Sequence, residues 1–184
     1  YILFTADSLA TIPKHTQSNL FADDTCIWSD SNTITNLRTR LQESVNLFVA
    51  WCKRWKLQVQ ATKTKLVHFS NHPRRKLKTP LTITIDDQTV PLAKEAKYLG
   101  VTFDRALNFK THIKEMKKKT PSRIGLLRYL ERNADEDPNR SLNMLHKSLV
   151  RSITTYASRI FLNCKSYWTT AQVLQNQALR EVLR

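Results

Sequence analysis

Glycine is nearly absent from this chain of 184 residues, which contains only Gly100 and Gly125. This scarcity excludes a glycine-rich phosphate-binding loop and favours regular helices and strands. Cysteine is also scarce, because Cys26, Cys52 and Cys164 lie far apart and form no CxxC pair. The sequence therefore predicts neither a disulfide framework nor a structural zinc site, and it favours a reducing compartment.

Long apolar runs and targeting signals are missing as well. No run approaches the length of a membrane span, and no signal peptide is recognisable. We therefore expect an intracellular protein, nuclear or cytoplasmic, that is not secreted and has no membrane partner. The chain also lacks an initiator methionine and stops inside a helical pattern, which predicts an excerpt from a longer polypeptide.

Acidic residues are scarce relative to basic ones, and the imbalance is uneven along the chain. The formal net charge is +15. Residues 1–50 contain three basic and five acidic side chains, whereas residues 51–184 contain 27 basic and ten acidic ones. An excess of this size is typical of proteins that bind a polyanion, and nucleic acid is the default partner. The basic residues are spread over several elements instead of one amphipathic helix, which disfavours a membrane surface.

The first part of the chain predicts a hairpin and a helix. Residues 18–29 contain two short apolar runs on either side of Asp23-Asp24, a pattern that predicts a β-hairpin with an acidic turn. Residues 30–32 then supply N-cap candidates for a long helix. The apolar residues of this helix recur at spacings of three and four, as the helical period requires. They are Ile34, Leu37, Leu41, Val45, Phe48, Cys52 and Trp55.

In the middle of the chain, apolar and polar residues alternate as they do in β-strands. Residues 64–69 predict one strand, which a basic loop around Pro73 follows. The segment 81–90 predicts a hairpin that turns at Asp86-Asp87-Gln88, and the run 98–103 completes a small antiparallel unit.

Beyond this unit the apolar period changes to that of helices. The segment 109–130 predicts one helix or two, with Pro121 as a kink or break. Further helices are predicted over 142–160 and from Trp168 onward. Together these patterns predict an α+β fold with a domain boundary near residues 104–108.

Two adjacent carboxylates on a tight turn suit metal-dependent nucleotidyl transfer. Two Mg²⁺ ions about 3.5–4 Å apart can stabilise both the attacking and the leaving oxygen of a phosphoryl transfer. Mg²⁺ prefers oxygen ligands and keeps several waters, so one or two carboxylates per ion suffice. The alternative is a plain solvated turn, because Asp tolerates turn conformations. Asp86-Asp87 is predicted to be such a plain turn.

Several motifs occur in the order found in one polymerase family. The sequence FADDT at residues 21–25 resembles the [YF]-x-D-D box of reverse transcriptases. The segments at 51–57 and 63–69 look like the W…W-x-L…KT stretch of non-LTR (LINE-type, jockey-like) retrotransposon reverse transcriptases. Residues 97–104 are similar to the YLG hairpin of that group, and residues 149–156 to a further helix. The resemblance covers essentially the whole chain.

This resemblance implies a fold and a function. Residues 1–106 would form the C-terminal part of a polymerase palm, built from antiparallel hairpins and a long helix and including the primer-grip hairpin. Residues 107–184 would form an all-helical thumb or connector. The implied function is that of an RNA-directed DNA polymerase, which extends a DNA primer on an RNA template by two-metal transfer of deoxynucleotides. Its implied partners are the RNA template, the DNA primer, the dNTP substrate and the upstream fingers and palm segment of the same polypeptide.

The family pattern also implies roles for individual residues. Asp23 would be a catalytic ligand of Mg²⁺ (or Mn²⁺), and Asp24 would support the metal ions or the primer end. Lys63, from the KT pair, would protonate the pyrophosphate leaving group, with a solvated loop lysine as the alternative. Phe21 would pack near the primer terminus, with a core strand residue as the alternative. The primer grip would consist of Tyr98, Leu99 and Gly100.

The first helical segment beyond the hairpins contains seven of the basic side chains. In a thumb, such side chains would follow the phosphates of a template–primer duplex without reading its bases. A solvated helix face is the alternative. The residues are Lys110, Lys114, Lys117, Lys118, Lys119, Arg123 and Arg128.

The sequence departs from the family pattern in two respects. Gln60 stands where Asn is usual before the KT pair, which puts the local turn geometry in question. The other catalytic Asp of the family lies upstream of the segment seen here. The fragment alone is therefore expected to be inactive.

Two other functions stay open on the sequence. The chain could be a non-enzymatic basic nucleic-acid-binding domain in which Asp23-Asp24 is only a turn. It could also be an inactive retrotransposon remnant that retains the fold. Divalent-ion binding at Asp23 separates the first alternative from a polymerase, and primer extension by the complete polypeptide separates the second.

Overall fold

The computed structural model of the protein describes residues 7–70, 80–132 and 138–182. The predicted basic loop around Pro73 lies outside the described residues. The chain divides into two compact units, one up to Leu107 and one from Asn108 onward. The first unit mixes hairpins with a long helix, whereas the described part of the second is helical. The assignment of residues 1–106 to a palm and of 107–184 to a thumb stays a prediction.

The predicted acidic hairpin is confirmed. Strands β1 (Gln17–Phe21) and β2 (Asp24–Trp28) pair antiparallel, with Phe21 opposite Asp24. Ala22 and Asp23 therefore form a two-residue turn, the shortest common hairpin connection. Ala22 has a φ of +52° and Asp23 has no positive φ, which is the sign pattern of a type II′ turn.

The predicted long helix is also confirmed as α1 (Ile34–Arg54). Its N-cap is Thr33, so the prediction of a cap within residues 30–32 is wrong. The hydroxyl of Thr33 accepts a hydrogen bond from the backbone N–H of Asn36 at 3.4 Å, a cap typically worth about 1 kcal/mol. A capping oxygen must reach the N–H two or three residues onward, and only Thr33 directly precedes the first helical residue.

Helix α1 packs against the second hairpin. Strands β3 (Thr84–Ile85) and β4 (Gln88–Thr89) enclose the turn Asp86-Asp87, whose φ angles of +47° and +62° fit a type I′ turn. The predicted turn is therefore present. The side-chain amide of Gln42 in α1 makes two hydrogen bonds with the backbone of Thr84. It donates to the carbonyl at 2.8 Å and accepts from the N–H at 2.9 Å. The buried core of this unit comprises Leu37, Leu41, Val49, Ala61, Leu81, Ile83, Ile85 and Val90.

Two strand predictions need correction. Residues 64–69 form no strand, because only an isolated parallel bridge joins Leu66 to Leu92. The run 98–103 is not one strand, since its residues bend back between β5 (Glu95–Tyr98) and β6 (Val101–Asp104). The described residues thus contain three separate two-stranded sheets instead of one antiparallel unit. A strand forms only where a second segment pairs with it. An alternation of apolar and polar residues does not reveal which segment that is.

In the second unit, α2 (Lys110–Arg132) continues through Pro121 without a break. Proline lacks a backbone N–H, so the carbonyl four residues earlier loses its helical donor. Buried residues on both sides of the proline hold the helix together, with Met116 and Thr120 before it and Ile124 after it. The prediction of one helix is therefore correct, and the alternative of two helices is wrong.

The remaining elements form a short helical array. Helix α3 (Pro138–His146) continues through a π-helical turn (Lys147–Arg151) into α4 (Ser152–Thr155). The predicted helix over 142–160 is thus interrupted, because Ala157 adopts a left-handed φ of +52°. The last helix, α5 (Lys165–Val182), begins a few residues before the predicted start.

The core of the second unit is partly aromatic. The rings of Phe161 and Tyr167 stack with centroids 4.0 Å apart, and Phe109 meets Phe161 edge-on at 4.9 Å. Tyr167 is fully buried, and its hydroxyl donates to the carbonyl of Thr154 at 2.9 Å. Of the helices in the described ranges, none is long and apolar enough to cross a membrane.

Candidate active site

The acidic turn presents its carboxylates to solvent. Asp23 occupies the tip of the hairpin and Asp24 is the first residue of β2, and both are exposed. Neither carboxylate forms an ion pair with a described residue. Phe21, opposite Asp24, is exposed over 62% of its surface, so it is not a core strand residue. The tip of the hairpin is therefore open to a ligand.

The two faces of this hairpin have different environments. Side chains alternate along a strand, and paired residues share a face. Asp24 and Cys26 therefore lie on one face, together with Asn19 opposite Cys26. Ile27 points to the other face and packs against the core of the unit. The face that carries Asp24 is thus directed away from this core.

The predicted primer grip falls on the turn between β5 and β6. Its residues Leu99 and Gly100 have φ angles of +45° and +80°. Glycine tolerates such angles freely, whereas a bulky side chain such as that of Leu99 is strained there. Tyr98 precedes the turn, and the pKa of its phenol is raised by burial and by the negative charges of Cys26 and Asp24. The role of this turn as a primer grip beside the metal box stays a prediction.

Lys63 lies in a turn after α1 and is exposed. The carbonyl of Gln60 organises this turn, because it accepts from the N–H groups of Lys63 and Thr64 at 3.2 and 3.1 Å. It also accepts from the hydroxyl of Thr64 at 2.9 Å. A main-chain carbonyl is available from any residue, so Gln60 in place of Asn does not disturb the turn. No hydrogen bond or ion pair between described residues joins the Lys63 side chain to Asp23 or Asp24.

The basic residues of α2 occupy two sides of its exposed surface. A helix turns by about 100° per residue, so residues 110, 114, 117 and 118 fall on one side. Lys119 and Arg123 fall on the other side. The buried residues of the helix occupy the remaining arc. All six side chains are exposed. They do not form the single continuous basic face that their sequence spacing implies. They are Lys110, Lys114, Lys117, Lys118, Lys119 and Arg123.

Arg128 differs from these six residues because it has an intramolecular partner. Its Nε donates to Glu181 of α5 at 3.0 Å, and its terminal NH2 nitrogen donates to the second carboxylate oxygen at 2.7 Å. Only 8% of the Glu181 side chain is exposed, against 47% of that of Arg128. The hydrogen bonds and charge of Glu181 raise the pKa of Arg128. A role of Arg128 in nucleic-acid binding stays a prediction, and the geometry gives it a structural one.

We expect Arg128→Ala to lower the melting temperature of the polypeptide, because it leaves the carboxylate of Glu181 buried without its cation. Water reaches the half-exposed guanidinium and screens the pair. The expected fall is therefore modest, about 4–8 °C for a unit of this size. Arg123→Ala on the exposed side of the same helix is the matched control. Calorimetry that found equal melting temperatures for both variants would contradict a structural role of the pair.

Two neighbours of the predicted residues were not among the sequence predictions, namely Cys26 near Asp24 and Glu181 beside Arg128. Cys26 could have been found, since it lies two positions after Asp24 and strand alternation places both on one face. Glu181 could not, because 53 positions separate it from Arg128. Among the described residues no group of three or more His, Cys, Asp or Glu side chains could hold a metal ion. The two carboxylates of the turn therefore offer the oxygen ligands that Mg²⁺ prefers but form only part of a site.

Comparison with known proteins identifies the family of the chain. Residues 1–103 match the family described as reverse transcriptase (RNA-dependent DNA polymerase). The chain belongs to this family. Reverse transcriptases generally use divalent metal ions, which suits the paired carboxylates at the hairpin tip.

The more specific resemblance to non-LTR retrotransposons is also confirmed. The chain is 32% identical, over 99% of its length, to a probable RNA-directed DNA polymerase from transposon BS of Drosophila melanogaster. It is 26% identical over 87% of its length to a probable RNA-directed DNA polymerase from transposon X-element of the same fly. The RNA-directed DNA polymerase from mobile element jockey is 25% identical over 88% of the chain.

These relatives are much longer than the chain. It spans 21% of the transposon BS protein and 17% of each of the other two. No solved structure matches the chain.

Proposed function

We propose that this chain is the C-terminal palm and thumb part of a non-LTR retrotransposon reverse transcriptase. The parent polypeptide would extend a DNA primer on an RNA template with dNTPs. The observation that carries this proposal is the exposed carboxylate pair at the tip of a two-stranded turn. Sequence similarity to RNA-directed DNA polymerases over 87–99% of the chain supports the same function.

The residues of the hairpin tip suit a metal-dependent transfer. Asp23 and Asp24 would hold Mg²⁺ (or Mn²⁺), which stabilises negative charge on the attacking and leaving oxygens when bound. A turn fixed by two paired strands holds a carboxylate more precisely than a loop does. Further ligands would come from the upstream part of the parent polypeptide.

Other parts of the chain would position the nucleic acid and transfer a proton. The Leu99–Gly100 turn would contact the primer strand, since Gly100 lets the backbone approach closely. Lys63, exposed and without an ion-pair partner among the described residues, would donate its ammonium proton to the pyrophosphate oxygen as the bond to the α-phosphate breaks. The exposed lysines of α2 would bind phosphates without reading sequence.

Primer extension by the complete parent polypeptide tests this function. The reaction would contain an RNA template, an annealed DNA primer, dNTPs and Mg²⁺, and we expect stepwise lengthening of the primer. Binding of the template–primer duplex is measured in parallel. Duplex binding without extension, with Mg²⁺ and with Mn²⁺, would contradict the proposal and favour an inactive remnant or a binding domain.

A further inference from the structure

The C-terminal end of α1 presents an aromatic side chain to solvent. Trp55 is the C-cap residue of the helix, and 45% of its surface is exposed. Its ring lies against that of Trp51, with centroids 6.3 Å apart, and Trp51 is buried and stacks on Phe48. This row of rings holds Trp55 in place at the helix end, while nearly half of the residue stays open to solvent.

Two cations flank this indole in the sequence. Arg54 and Lys56 are exposed, and neither forms an ion pair with a described residue. Lys53, by contrast, is neutralised by its pair with Asp86. Basic side chains in the last turn of a helix offset its dipole. That effect accounts for the position of Arg54 but not for Lys56, which lies beyond the end of the helix.

Lys56 occupies a position where glycine is usual. Its φ is +56°. Its N–H donates to the carbonyl of Lys53 at 3.1 Å, and the N–H of Leu57 donates to the carbonyl of Cys52 at 2.9 Å. These two bonds form a Schellman motif, in which the residue after the C-cap adopts the left-handed conformation. Glycine adopts it without strain, whereas lysine does not, and strain of this type is typical of functional positions.

The end of α1 belongs to a different side of the unit from the acidic turn. Helix α1 contributes to the core against which Ile27 packs. Strand alternation places Asp24 on the opposite face of the same hairpin. The surface around Trp55 is therefore separate from the hairpin face that carries Asp24.

We propose that Trp55, Arg54 and Lys56 form a binding site for an unpaired stretch of nucleic acid, separate from the proposed active site. The exposed part of the indole stacks on one base, and the two cations contact the adjoining phosphates. Aromatic stacking beside basic side chains is the general mode of single-strand binding, and it accepts every base because each base has a π-face. The formal net charge of +15 complements a polyanion in the same way.

The contribution of the indole is tested with Trp55→Leu in the complete parent polypeptide. Fluorescence anisotropy of a labelled RNA single strand measures the affinity, with excess unlabelled template–primer duplex to occupy the proposed active site. We expect the affinity to fall about tenfold, because leucine is apolar but has no π-face. Trp168→Leu removes another exposed indole, in α5, and as the matched control it should bind as the wild type does. Equal affinities of the two variants would overturn the proposal.

Lys56→Gly separates binding from stability. The melting temperature should rise, because glycine relieves the strain of the left-handed position. The affinity for the RNA single strand should fall, and the slope of log affinity against log salt concentration should decrease in magnitude by about 0.7, the value for one phosphate contact on a single strand. A higher melting temperature with an unchanged slope would contradict the proposal.

Photo-crosslinking of the wild-type polypeptide locates the contact without any substitution. RNA that contains iodouridine is irradiated in the complex, and the attached peptide is identified by mass spectrometry. We expect attachment at Trp55, and none there when the same RNA is annealed to its complement, because paired bases are already stacked. Attachment at other residues only, or equal attachment of the duplex at Trp55, would overturn the proposal. None of these measurements needs primer extension, so a failure of the proposed function would be recognised separately.

Discussion

Replacing Asp23 by Asn in the parent polypeptide should lower the rate of primer extension about a thousandfold, a loss of the size seen when charge stabilisation at a reacting phosphoryl group is removed. Asn has nearly the same shape and tolerates turns as Asp does, so the hairpin should persist. The variant loses only the negative charge at the tip. Duplex affinity should change less than twofold, because a metal-binding carboxylate contributes little to phosphate contacts.

The chain contains a matched control for this substitution. Asp87 lies in another two-residue hairpin turn and is also exposed, so Asp87→Asn makes the same chemical change in a turn that has no proposed role in catalysis. It should extend primers at the wild-type rate. Mn²⁺ should broaden backbone resonances around residue 23 in the wild type and in Asp87→Asn but not in Asp23→Asn. Equal broadening in all three proteins would show that Asp23 holds no metal ion.

The elements that the sequence predicts well are those whose cause is local. The acidic hairpin follows from two apolar runs around a turn, and α1 follows from apolar residues spaced by threes and fours. Each pattern acts within a few residues, so neither needs information about the rest of the fold. The N-cap of α1 shows the limit, because several polar residues precede the helix and only hydrogen-bond geometry selects Thr33.

The errors have non-local causes. Residues 64–69 alternate like a strand, yet they lack a neighbour to pair with beyond the bridge at Leu66. Helix α2 passes through Pro121 because its buried face is continuous on both sides of the proline. Packing over many residues contributes more to helix stability than one lost hydrogen bond. Propensity alone does not contain this information.

The features of the candidate site also divide into those with a local cause and those with a non-local cause. The carboxylates at residues 23 and 24 are visible in the sequence because both belong to one short turn. Where the Tyr98 hairpin lies relative to them depends on how two hairpins pack, and no sequence spacing reports it. The ion pair of Arg128 with Glu181 likewise joins distant segments. Without it, Arg128 looks like any other basic residue of the helix.

The affinity of the parent polypeptide for a template–primer duplex should fall about a hundredfold between 50 and 200 mM salt. This estimate assumes that the four basic residues on one side of α2 each neutralise one phosphate, since each contact releases counterions. They are Lys110, Lys114, Lys117 and Lys118. The affinity is measured by fluorescence anisotropy over a series of salt concentrations. The slope of log affinity against log salt concentration then counts the phosphate contacts.

Single charge removals test which lysines make these contacts. Lys114→Gln and Lys118→Gln should each reduce the magnitude of this slope by about one. Lys53→Gln is the matched control, because Lys53 belongs to α1 and already pairs with Asp86, so its loss should leave the slope unchanged. If all three variants reduced the slope equally, total charge would determine binding, and α2 would have no particular role. The lysine variants should weaken binding equally for duplexes of different sequence, because phosphate contacts carry no sequence information.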